Sequence, residues 1–585
     1  MSLLGNIFKY LIVLILLALG VFVVLAGVMV LVPGFTLFGL HYLAVSHNAT
    51  VKYNLEYAES AEWAETSKVR VITKGYSVYV RPVHTSGKQA EAALDNSMRV
   101  LVTSKISGFA WGDIREIQFT QEFIEENGET ILKFEMLEPD GWLHHTTTLI
   151  EIVVSENDLA NMDFEFISSS GTVTIGSTVT ANEAYDSLTS AQTALTKATE
   201  AVETAQENLN NATTESKITE AEKALNTAKT NETKAKNNVE TAQTNYNKAL
   251  EADNKKIINL GSVYVENGSG KVALRNANYS EKVNIDKSSG TVEVTRDLLC
   301  DTSIKINGGL GKIFLNNVGT ETDYASLYIE ASNSEMRWND IYGAFTLKAQ
   351  GGYLKANNII QSASIESDSC AVNLNNIGTT LYVNNGDGNV NINEVTGVGT
   401  VVVKGGSVNI ASSLDKIQVQ SDKGNITLKD VNKTAVVTSN YGQILIDWNE
   451  DLVYSDAVKE DLVTTVKVKY STVEINDIIG QVNFSILDNG NGRITTRYKE
   501  VNGISQISTN TGSVTAILPF SETNPFTLNW KSEKNVDIRF GSCQPKAGDA
   551  NIKEGSYNWN TTSNDGTIML NSVSGIIKVR QIGDE

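Results

Sequence analysis

The side chains able to support chemistry in this chain are acidic turn residues, scattered carboxylates and a few aromatic rings. Two segments resemble loops that offer carboxylate and amide oxygens to Ca²⁺: NNGDGNVNI (384–392) and LDNGNGRI (487–494). Neither has the complete spacing of a calcium loop, and Asp, Asn and Gly are also the residues of tight turns. The sequence therefore predicts turns at Asp387 and Asp488 and no cofactor, with Ca²⁺ at either loop as the minor alternative.

Hydrolysis of a polysaccharide would require paired carboxylates, or a base with a metal, gathered in one groove. The acidic residues of the central region instead occupy different positions of the repeat described below; they are Glu366, Asp387, Glu394, Asp415 and Asp430. The chain is therefore predicted not to be an enzyme, with no catalytic or metal-binding residue. Binding is the better prediction, and Trp448 and Tyr382 would stack on a ligand if their rings are exposed.

An eighteen-residue repeat between residues 351 and 446 determines where these side chains lie. One frame of the repeat is apolar at every turn (372 − 354 = 18): Leu354, Val372, Val390, Val408, Ile426 and Ile444. Another frame is also apolar: Ile365, Val383, Val401, Val419 and Val437. A third frame is small: Gly352, Cys370, Gly388, Gly406, Gly424 and Gly442.

Apolar residues at alternate positions indicate a strand with one buried face. A fixed period of this length indicates that strands stack turn upon turn, because one turn cannot bury its own apolar side. The predicted fold is therefore mainly β, a single-stranded β-helix or solenoid with 18-residue, two-strand rungs. An antiparallel sandwich with hairpins of similar length is the alternative, but it does not require one residue type at one position for six turns.

The N-terminal region is predicted to anchor the protein in a membrane. Residues 10–32 are uncharged, which matches the ~20 residues that span a bilayer, and they would contact membrane lipid. Lys9 precedes this run, so the positive-inside tendency places the N-terminus in the cytoplasm and the bulk outside the cell membrane, with a single pass. A cleaved signal peptide is the alternative, although its apolar region is usually about 7–15 residues.

Residues 180–256 contain no Gly or Pro and are predicted to form a helical insertion. Residues that are apolar except for Glu232 recur every seven positions in two series: Leu188, Leu195, Val202 and Leu209, then Ile218, Leu225, Glu232, Val239 and Tyr246. The polar break NNATTES (210–216) separates them, so an antiparallel coiled-coil hairpin is expected. The alternatives are one long helix that forms a homo-oligomer, or a disordered linker.

The composition excludes some classes of partner. The 585 residues include 48 Lys and Arg against 68 Asp and Glu, which gives a formal net charge of −20. A nucleic-acid-binding protein needs a basic surface, so nucleic acid is not an expected partner. Cys300, Cys370 and Cys543 do not have the spacing of a disulfide framework or a CxxC metal site, and Cys370 takes the place of a corner Gly.

These patterns divide the chain into five predicted regions. They are a transmembrane anchor and membrane-proximal segment (1–45), a membrane-proximal β domain (46–167), a β-solenoid (168–179 and 257–520), an inserted coiled-coil hairpin (180–256) and a C-terminal β cap (521–585). The cap is expected because an exposed edge of the stack would invite aggregation.

Three segments resemble bacterial adhesin-like domains of unknown function, which include the head-GIN type: TTLIEIVVSENDLANMDFEFISSSGTVTIG, SDKGNITLKDVNKTAVVTSNYGQILID and NTGSVTAILPFSETNPFTLNWKSEKNVDIRFG. Their shared repeat is roughly S-G-x-V-x-V, a spacer and a second short strand. The resemblance covers about residues 146–176 and 257–541. It implies a single-stranded β-helix on the cell envelope and carries over no binding residue.

The expected function is that of a cell-surface adhesin or envelope structural protein, whose ligand is a glycan or a surface protein. An envelope-sensing or scaffold component that binds another membrane protein is the first alternative. A carbohydrate-active enzyme is the least favoured alternative. The hairpin at 180–256 is the expected contact in any homo-oligomer.

Overall fold

The computed structural model of the chain is mainly β, with its strands joined in one large mixed sheet. It describes residues 2–31, 36–37, 40–54, 66–83, 97–111, 118–137, 144–155, 159–176, 180–210, 212, 215–252, 258–300, 303–451, 462–521, 523–534, 536–539, 553–560 and 566–582. The helices within this part of the chain are α1 (Ser2–Leu31), α2 (Thr180–Asn210) and α3 (Glu215–Ala252).

The strands before the helical insertion are β1 (Thr36–Leu37), β2 (Leu40–Asn54), β3 (Lys68–Thr73), β4 (Ser77–Pro82), β5 (Ser97–Trp111), β6 (Gln118–Glu126), β7 (Glu129–Leu137), β8 (His144–Val154), β9 (Asp163–Ser168) and β10 (Val173–Gly176). The next are β11 (Ile258–Leu260), β12 (Val263–Asn267), β13 (Lys271–Tyr279), β14 (Lys282–Lys287), β15 (Ser289–Cys300), β16 (Ser303–Asn307), β17 (Leu310–Val318), β18 (Leu327–Ile341), β19 (Phe345–Ile359), β20 (Ala363–Ile377), β21 (Thr380–Asn385), β22 (Val390–Ile392), β23 (Val398–Gly405) and β24 (Val408–Ile410). The last are β25 (Ile417–Lys423), β26 (Ile426–Val431), β27 (Ala435–Tyr441), β28 (Gln443–Trp448), β29 (Val463–Val468), β30 (Thr472–Ile478), β31 (Gln481–Ile486), β32 (Arg493–Tyr498), β33 (Ile504–Thr509), β34 (Val514–Leu518), β35 (Phe526–Ser532), β36 (Val536–Arg539), β37 (Glu554–Trp559), β38 (Gly566–Ser572) and β39 (Ile577–Gln581).

Two parallel ladders run through these strands, and each rung of the chain supplies one strand to each ladder. The first ladder joins, in hydrogen-bonding order, β7, β3, β9, β12, β14, β16, β18, β19, β20, β21, β23, β25, β27, β29, β31, β33, β38 and β35. The second ladder joins β8, β4, β10, β13, β15, β17, β18, β19, β20, β22, β24, β26, β28, β30, β32, β34, β39 and β36. The long strands β18, β19 and β20 belong to both.

The register confirms the eighteen-residue repeat in the central rungs. Leu354 lies opposite Val372, Val372 opposite Val390, and Val390 opposite Val408, each eighteen residues apart. Every residue of this apolar frame is at most 2% exposed. The side chains therefore stack in a column inside the rungs, as the alternation predicts.

Rungs before Met336 are longer than eighteen residues, so the regular apolar frame does not extend into them. In the second ladder Val272 pairs with Val292 (292 − 272 = 20), Val292 with Ile313 (313 − 292 = 21) and Ile313 with Met336 (336 − 313 = 23). From Met336 to Leu354 the spacing becomes 354 − 336 = 18. The extra residues lengthen corners or form bulges and leave the inward column intact.

Small residues at the corner before the second ladder allow neighbouring turns of backbone to approach closely. Gly406 has a φ of +130°, and a Cβ there would lie 2.4 Å from the Gly388 carbonyl oxygen. Cys370 pairs with Gly352 at this corner and is buried, which confirms the prediction that it replaces a small residue. Neither Cys300 nor Cys370 forms a disulfide bond.

The helices α2 and α3 pack on each other as the predicted hairpin, with Leu188 and Leu225 among their buried residues. The Thr199 hydroxyl donates a hydrogen bond across the pair to Glu232 at 3.4 Å. The ladders continue across the insertion, because Val173 of β10 pairs directly with Val272 of β13. The hairpin is therefore inserted between consecutive rungs.

The predicted boundaries at 45/46 and 167/168 are wrong, because each cuts a strand. The first lies within β2, which pairs antiparallel with β5 along its whole length. The second lies within β9, which pairs in parallel with β3 on one side and β12 on the other. The rungs thus begin before residue 168, and the strands around β3 and β4 share one hydrophobic core with the central rungs.

The C-terminal region also differs from a separate cap. Strands β38 and β39, the last described, pair in parallel with β33 and β34 and continue both ladders. Strands β35 and β36, which come earlier in sequence, stack on the far side of β38 and β39. The hairpin-like element expected here is β37, which pairs antiparallel with β35 and covers its outer edge.

The N-terminal helix α1 is long and apolar enough to cross a membrane. Its residues Ile12–Leu31 have a mean hydropathy of 3.1, and 6% of them are buried against the rest of the protein. A signal sequence near an N-terminus satisfies the same criteria.

Candidate functional site

Trp448 does not present an aromatic ring to solvent, so the prediction that it stacks on a ligand is wrong. It is 1% exposed, and its indole N–H donates a hydrogen bond to the Thr464 hydroxyl at 3.0 Å. Trp448 pairs in parallel with Val431. Val431 belongs to a line of single parallel bridges, one residue per rung, that also contains Ile377, Val395 and Ser413. We call the position of this line, at or just after the end of each strand of the second ladder, the third corner. Tyr382 is 39% exposed and points outward from β21, so its ring is accessible.

Asp387 and Asp488 both lie in turns. Asp488 and Asn489 have φ values of +47° and +58°, the left-handed conformation that Asp and Asn tolerate best among residues with a side chain. Asp488 also forms an ion pair with Lys469 at 3.6 Å. Asp387 is exposed, and its backbone N–H donates to the Asp368 carbonyl at 2.9 Å. Within the described residues, no three His, Cys, Asp or Glu side chains come together as a metal would require.

A candidate binding surface lies on the outward side of the second ladder, over the rungs that carry β20, β22, β24 and β26. Its residues alternate in sequence with the buried column of Val372, Val390, Val408 and Ile426. We call this surface the amide face; its residues are Ala371, Asn373, Asn375, Asn389, Asn391, Asn393, Ser407, Asn409, Ala411, Asn425 and Thr427. The same pleat that buries the apolar column therefore turns these residues to solvent.

The asparagines of the amide face form hydrogen-bonded columns along the stack. In the middle column, Asn391 donates its side-chain N–H to Asn373 Oδ1 at 2.9 Å, and Asn409 donates to Asn391 Oδ1 at 2.8 Å. In the neighbouring column, Asn393 donates to Asn375 Oδ1 at 2.7 Å. Each amide is held by its neighbours, so the columns are oriented before any ligand arrives.

The column nearest the glycine corner is held by backbone donors instead. The Ser407 N–H donates to Asn389 Oδ1 at 2.9 Å, and the Gln443 N–H donates to Asn425 Oδ1 at 3.0 Å. Three columns of oriented polar groups therefore cover the width of the amide face.

None of the eleven side chains of the amide face is ionisable, although the whole chain carries a net charge of −20. Lys355 precedes Asn373 in the middle column, and Lys429 continues the column of Asn375, Asn393 and Ala411 on the fourth rung. Glu394 and Asp430 lie at the corner where the second ladder ends. The face is thus uncharged over the three rungs of β20, β22 and β24, and charged side chains lie around them.

An open groove of about 520 Å³ runs over the amide face. Its lining combines amide and hydroxyl groups with small exposed parts of apolar residues; it includes Asn373, Asn391, Asn393, Asn409, Thr427 and Lys429, together with Leu374, Ile392, Ile410 and Ala411. Such a surface offers several hydrogen-bonding groups with limited apolar contact.

Two tyrosine rings lie at the corner that borders the amide face. Tyr441 and Tyr470 are 49% and 47% exposed, and their rings stack with centroids 5.3 Å apart and planes 25° apart. The Lys469 ammonium lies 5.9 Å from the centroid of Tyr470. The pair provides the aromatic surface that Trp448 lacks.

The potentially reactive groups considered in this region are a buried thiol and dispersed carboxylates. Burial raises the pKa of the Cys370 thiol to about 12, so it remains protonated and a poor nucleophile near neutral pH. The acidic residues considered above are dispersed: Glu366 points outward from the first ladder, Asp415 forms an ion pair with Lys433 at 3.4 Å, and Asp430 occupies a corner with a φ of +46°.

The sequence contains a signal for part of this site. Asn373, Asn391 and Asn409 are separated by eighteen residues (391 − 373 = 18; 409 − 391 = 18), one frame beyond the apolar column. Tyr441 and Tyr470 could not be paired in this way, because 470 − 441 = 29. The eleven additional residues lie around 452–461, which are outside the described residues.

Comparisons with known proteins were made at the level of families, individual proteins and solved structures. No protein-family model, no curated protein and no solved structure matches this chain. The fold and the chemistry of the amide face are the observations that bear on its function.

Proposed function

We propose that this protein is a membrane-anchored, cell-surface β-solenoid that acts as an adhesin or envelope structural protein through repeated surface contacts. The solenoid is supported by the two parallel ladders, in which each rung stacks on the preceding one in fixed register. The anchor is supported by α1, which would leave the N-terminus in the cytoplasm and the rungs outside. The resemblance to adhesin-like domains belongs to the same proposal.

The observation that carries this proposal is the amide face. A solvated surface of a chain with 20% charged residues normally mixes charges with other polar groups. Over the three consecutive rungs of β20, β22 and β24 this face has none, and Lys429 is the charged position on the fourth rung. Its amides are ordered by mutual hydrogen bonds. Repeated and pre-oriented polar groups favour a role in binding an extended surface, because many weak contacts act together.

The role is proposed to be non-enzymatic. An envelope-sensing or scaffold component that binds another membrane protein is the second candidate, and the α2–α3 hairpin favours it. Arms of 31 and 38 residues extend roughly 45–55 Å at 1.5 Å per residue, and most of their surface is solvent-exposed. A partner or a second copy would contact the hairpin in that case.

The test uses the full-length protein in liposomes and measures how many liposomes bind to bacterial envelope fragments. Asn391→Asp places one negative charge in the middle of the amide face, and Gln418→Glu places one on the outward side of the first ladder as the matched control. Loss of binding with Asn391→Asp and retention with Gln418→Glu is expected. Equal binding by both variants and by the wild type would refute contact through the amide face.

Removal of the α2–α3 hairpin separates the two candidates in the same assay. The adhesin role predicts that binding to envelope fragments persists without the hairpin. The scaffold role predicts that binding is lost with the hairpin and is unaffected by Asn391→Asp.

A further inference from the structure

The amide face retains hydrogen-bonding capacity after its internal contacts are made. A side-chain amide has two N–H donors and an oxygen with two lone pairs. In the middle column, Asn391 uses one N–H toward Asn373 and one lone pair toward Asn409. A second donor and a second lone pair remain for a ligand. Because rungs repeat about every 4.8 Å, the column presents donors and acceptors at that period.

We infer that the ligand of the amide face is an uncharged linear polysaccharide, which lies along the asparagine columns. This inference rests on the proposed binding function and names its ligand class. Sugar hydroxyls both donate and accept hydrogen bonds, so they match amides that have one donor and one acceptor free. A regular polymer repeats its hydroxyls along its length, as the columns repeat their amides.

Charge distinguishes this ligand from other polymers. An anionic polymer would be repelled by a chain of net charge −20 and would meet one cation, Lys429, in the lining of the groove. A cationic polymer would find its partners among the acidic residues elsewhere on the surface. A neutral ligand loses nothing by lying on the three rungs of β20, β22 and β24, where the amide face has no ionisable group.

The size of the face argues against a protein partner. Along each strand the face extends over four residue-to-residue steps, or about 13 Å, and across the strands over three steps between rungs, or about 14 Å. The area of the face is therefore roughly 180 Å². A stable protein interface buries about 800 Å² on each partner and is centred on aromatic or Arg side chains. The amide face has neither the area nor such an anchor, whereas a few sugar units would cover it.

Tyr441 and Tyr470 extend the site at its edge. An exposed aromatic ring can pack against the apolar side of a sugar ring while its hydroxyl remains in water. The two rings stack near one another on consecutive rungs, so a polymer that follows the columns would meet them beyond Asn425. They are the aromatic contact of the proposed site, in place of the buried Trp448.

The inference predicts that affinity depends on ligand length. A single hydrogen bond changes affinity by about tenfold at most, so a monosaccharide in contact with one rung should not bind measurably. Each added unit reaches further amides until the ligand is as long as the face and the tyrosine pair. Affinity should therefore rise with chain length and then level off.

Isothermal titration calorimetry on the full-length protein in detergent tests this inference. The probes are neutral oligosaccharides of glucose and of N-acetylglucosamine in increasing length, and a uronic acid oligomer of matched length. We expect a dissociation constant that falls with length for at least one neutral series, and no binding of the uronic acid oligomer. Asn391→Asp and Tyr441→Ala should each weaken the neutral ligand about tenfold, the loss of roughly one hydrogen bond or ring contact, and Gln418→Glu should not.

Three results would overturn the inference: no binding of either neutral series, affinity independent of length, or equal binding of the uronic acid oligomer. Its failure is distinguishable from failure of the proposed function. If the protein still binds envelope fragments and Asn391→Asp abolishes that binding, the function stands and the ligand class is wrong. If the protein binds neither envelope fragments nor oligosaccharides, both are wrong.

Discussion

Val390→Asp should open the central rungs locally, and its cost can be worked from the structure. Val390 is 0% exposed and lies between Val372 and Val408 in the inward column. An ionised carboxylate there would have no partner, so the side chain would be protonated in the folded state. Holding a group of ordinary pKa near 4 protonated at pH 7 costs about 1.4 kcal/mol per pH unit, or about 4 kcal/mol.

Two matched variants isolate that cost. Val390→Ala removes two methyl groups without adding charge and should cost about 2 kcal/mol through lost burial and a small cavity. Asn389→Asp adds the same charge one residue earlier, where the side chain is exposed and its oxygen accepts from the Ser407 N–H. It should change stability by no more than about 0.5 kcal/mol.

Limited proteolysis of the full-length protein, with mapping of the cleavage sites, measures the local opening. Val390→Asp should become sensitive to protease at corners between residues 372 and 410, and this sensitivity should fall as the pH is lowered from 7 toward 5. Asn389→Asp should be cleaved like the wild type. Greater protease sensitivity in Asn389→Asp than in Val390→Asp would show that Asn389 faces inward and Val390 outward, which would refute the register.

Three further predictions follow from other parts of the molecule. Replacing residues 182–254 by a short Gly/Ser loop should remove helical circular dichroism and leave the β melting transition within a few degrees, because β10 pairs directly with β13; collapse of the β signal would contradict the placement of the insertion. Burial lowers the pKa of Lys287 from its ordinary value near 10.5 to about 8. The unfolded chain therefore holds a proton that the folded chain has lost between pH 8 and 10.5, so stability should rise with pH across this window. Chemical denaturation should show this rise, by about 1–3 kcal/mol, and Lys287→Met should abolish it; an equal rise in the variant would contradict the assignment. Trp448→Phe should destabilise the protein by about 1–2 kcal/mol through loss of the bond to Thr464 and leave ligand binding unchanged, and loss of binding at unchanged stability would show that the ring is accessible.

The central register could be predicted because it depends on neighbours that repeat. Each inward residue between Leu354 and Ile444 packs mainly on the equivalent residues of the neighbouring rungs. An eighteen-residue period in the sequence therefore predicts which residues are in contact. The asparagine column was equally visible in principle. Its chemical importance was not, because it depends on which alternate residues face solvent and on the absence of charge around them.

The ends of the stack could not be read in the same way. Strand β38 lies between β33 and β35, and β39 lies between β34 and β36, although both follow these strands in sequence. No local pattern encodes that order. Strand β9 pairs with β12, which lies beyond the helical insertion in the sequence. The two strands are therefore too far apart in sequence for a short period to reveal that they pair. The helical hairpin, by contrast, was predictable from heptads and composition, since those depend on contacts within the segment alone.

The burial of Trp448 had a faint signal in the sequence. Ile377, Val395 and Val431 form an apolar series at the third corner, and Ser413 occupies the intervening place. Trp448 follows Val431 by seventeen residues rather than eighteen (448 − 431 = 17), so it falls outside a strict frame. One residue of slip at a corner decides between a buried ring and an exposed one.

Photocrosslinking tests the central claim, contact through the amide face, most directly. p-Benzoylphenylalanine is introduced in the full-length protein at Thr427, at the edge of the amide face, and separately at Thr400, an outward threonine of the first ladder with similar exposure. After illumination with bacterial envelope fragments, the account predicts carbohydrate-containing adducts from position 427 and none from position 400. Adducts from position 400 alone would contradict the claim.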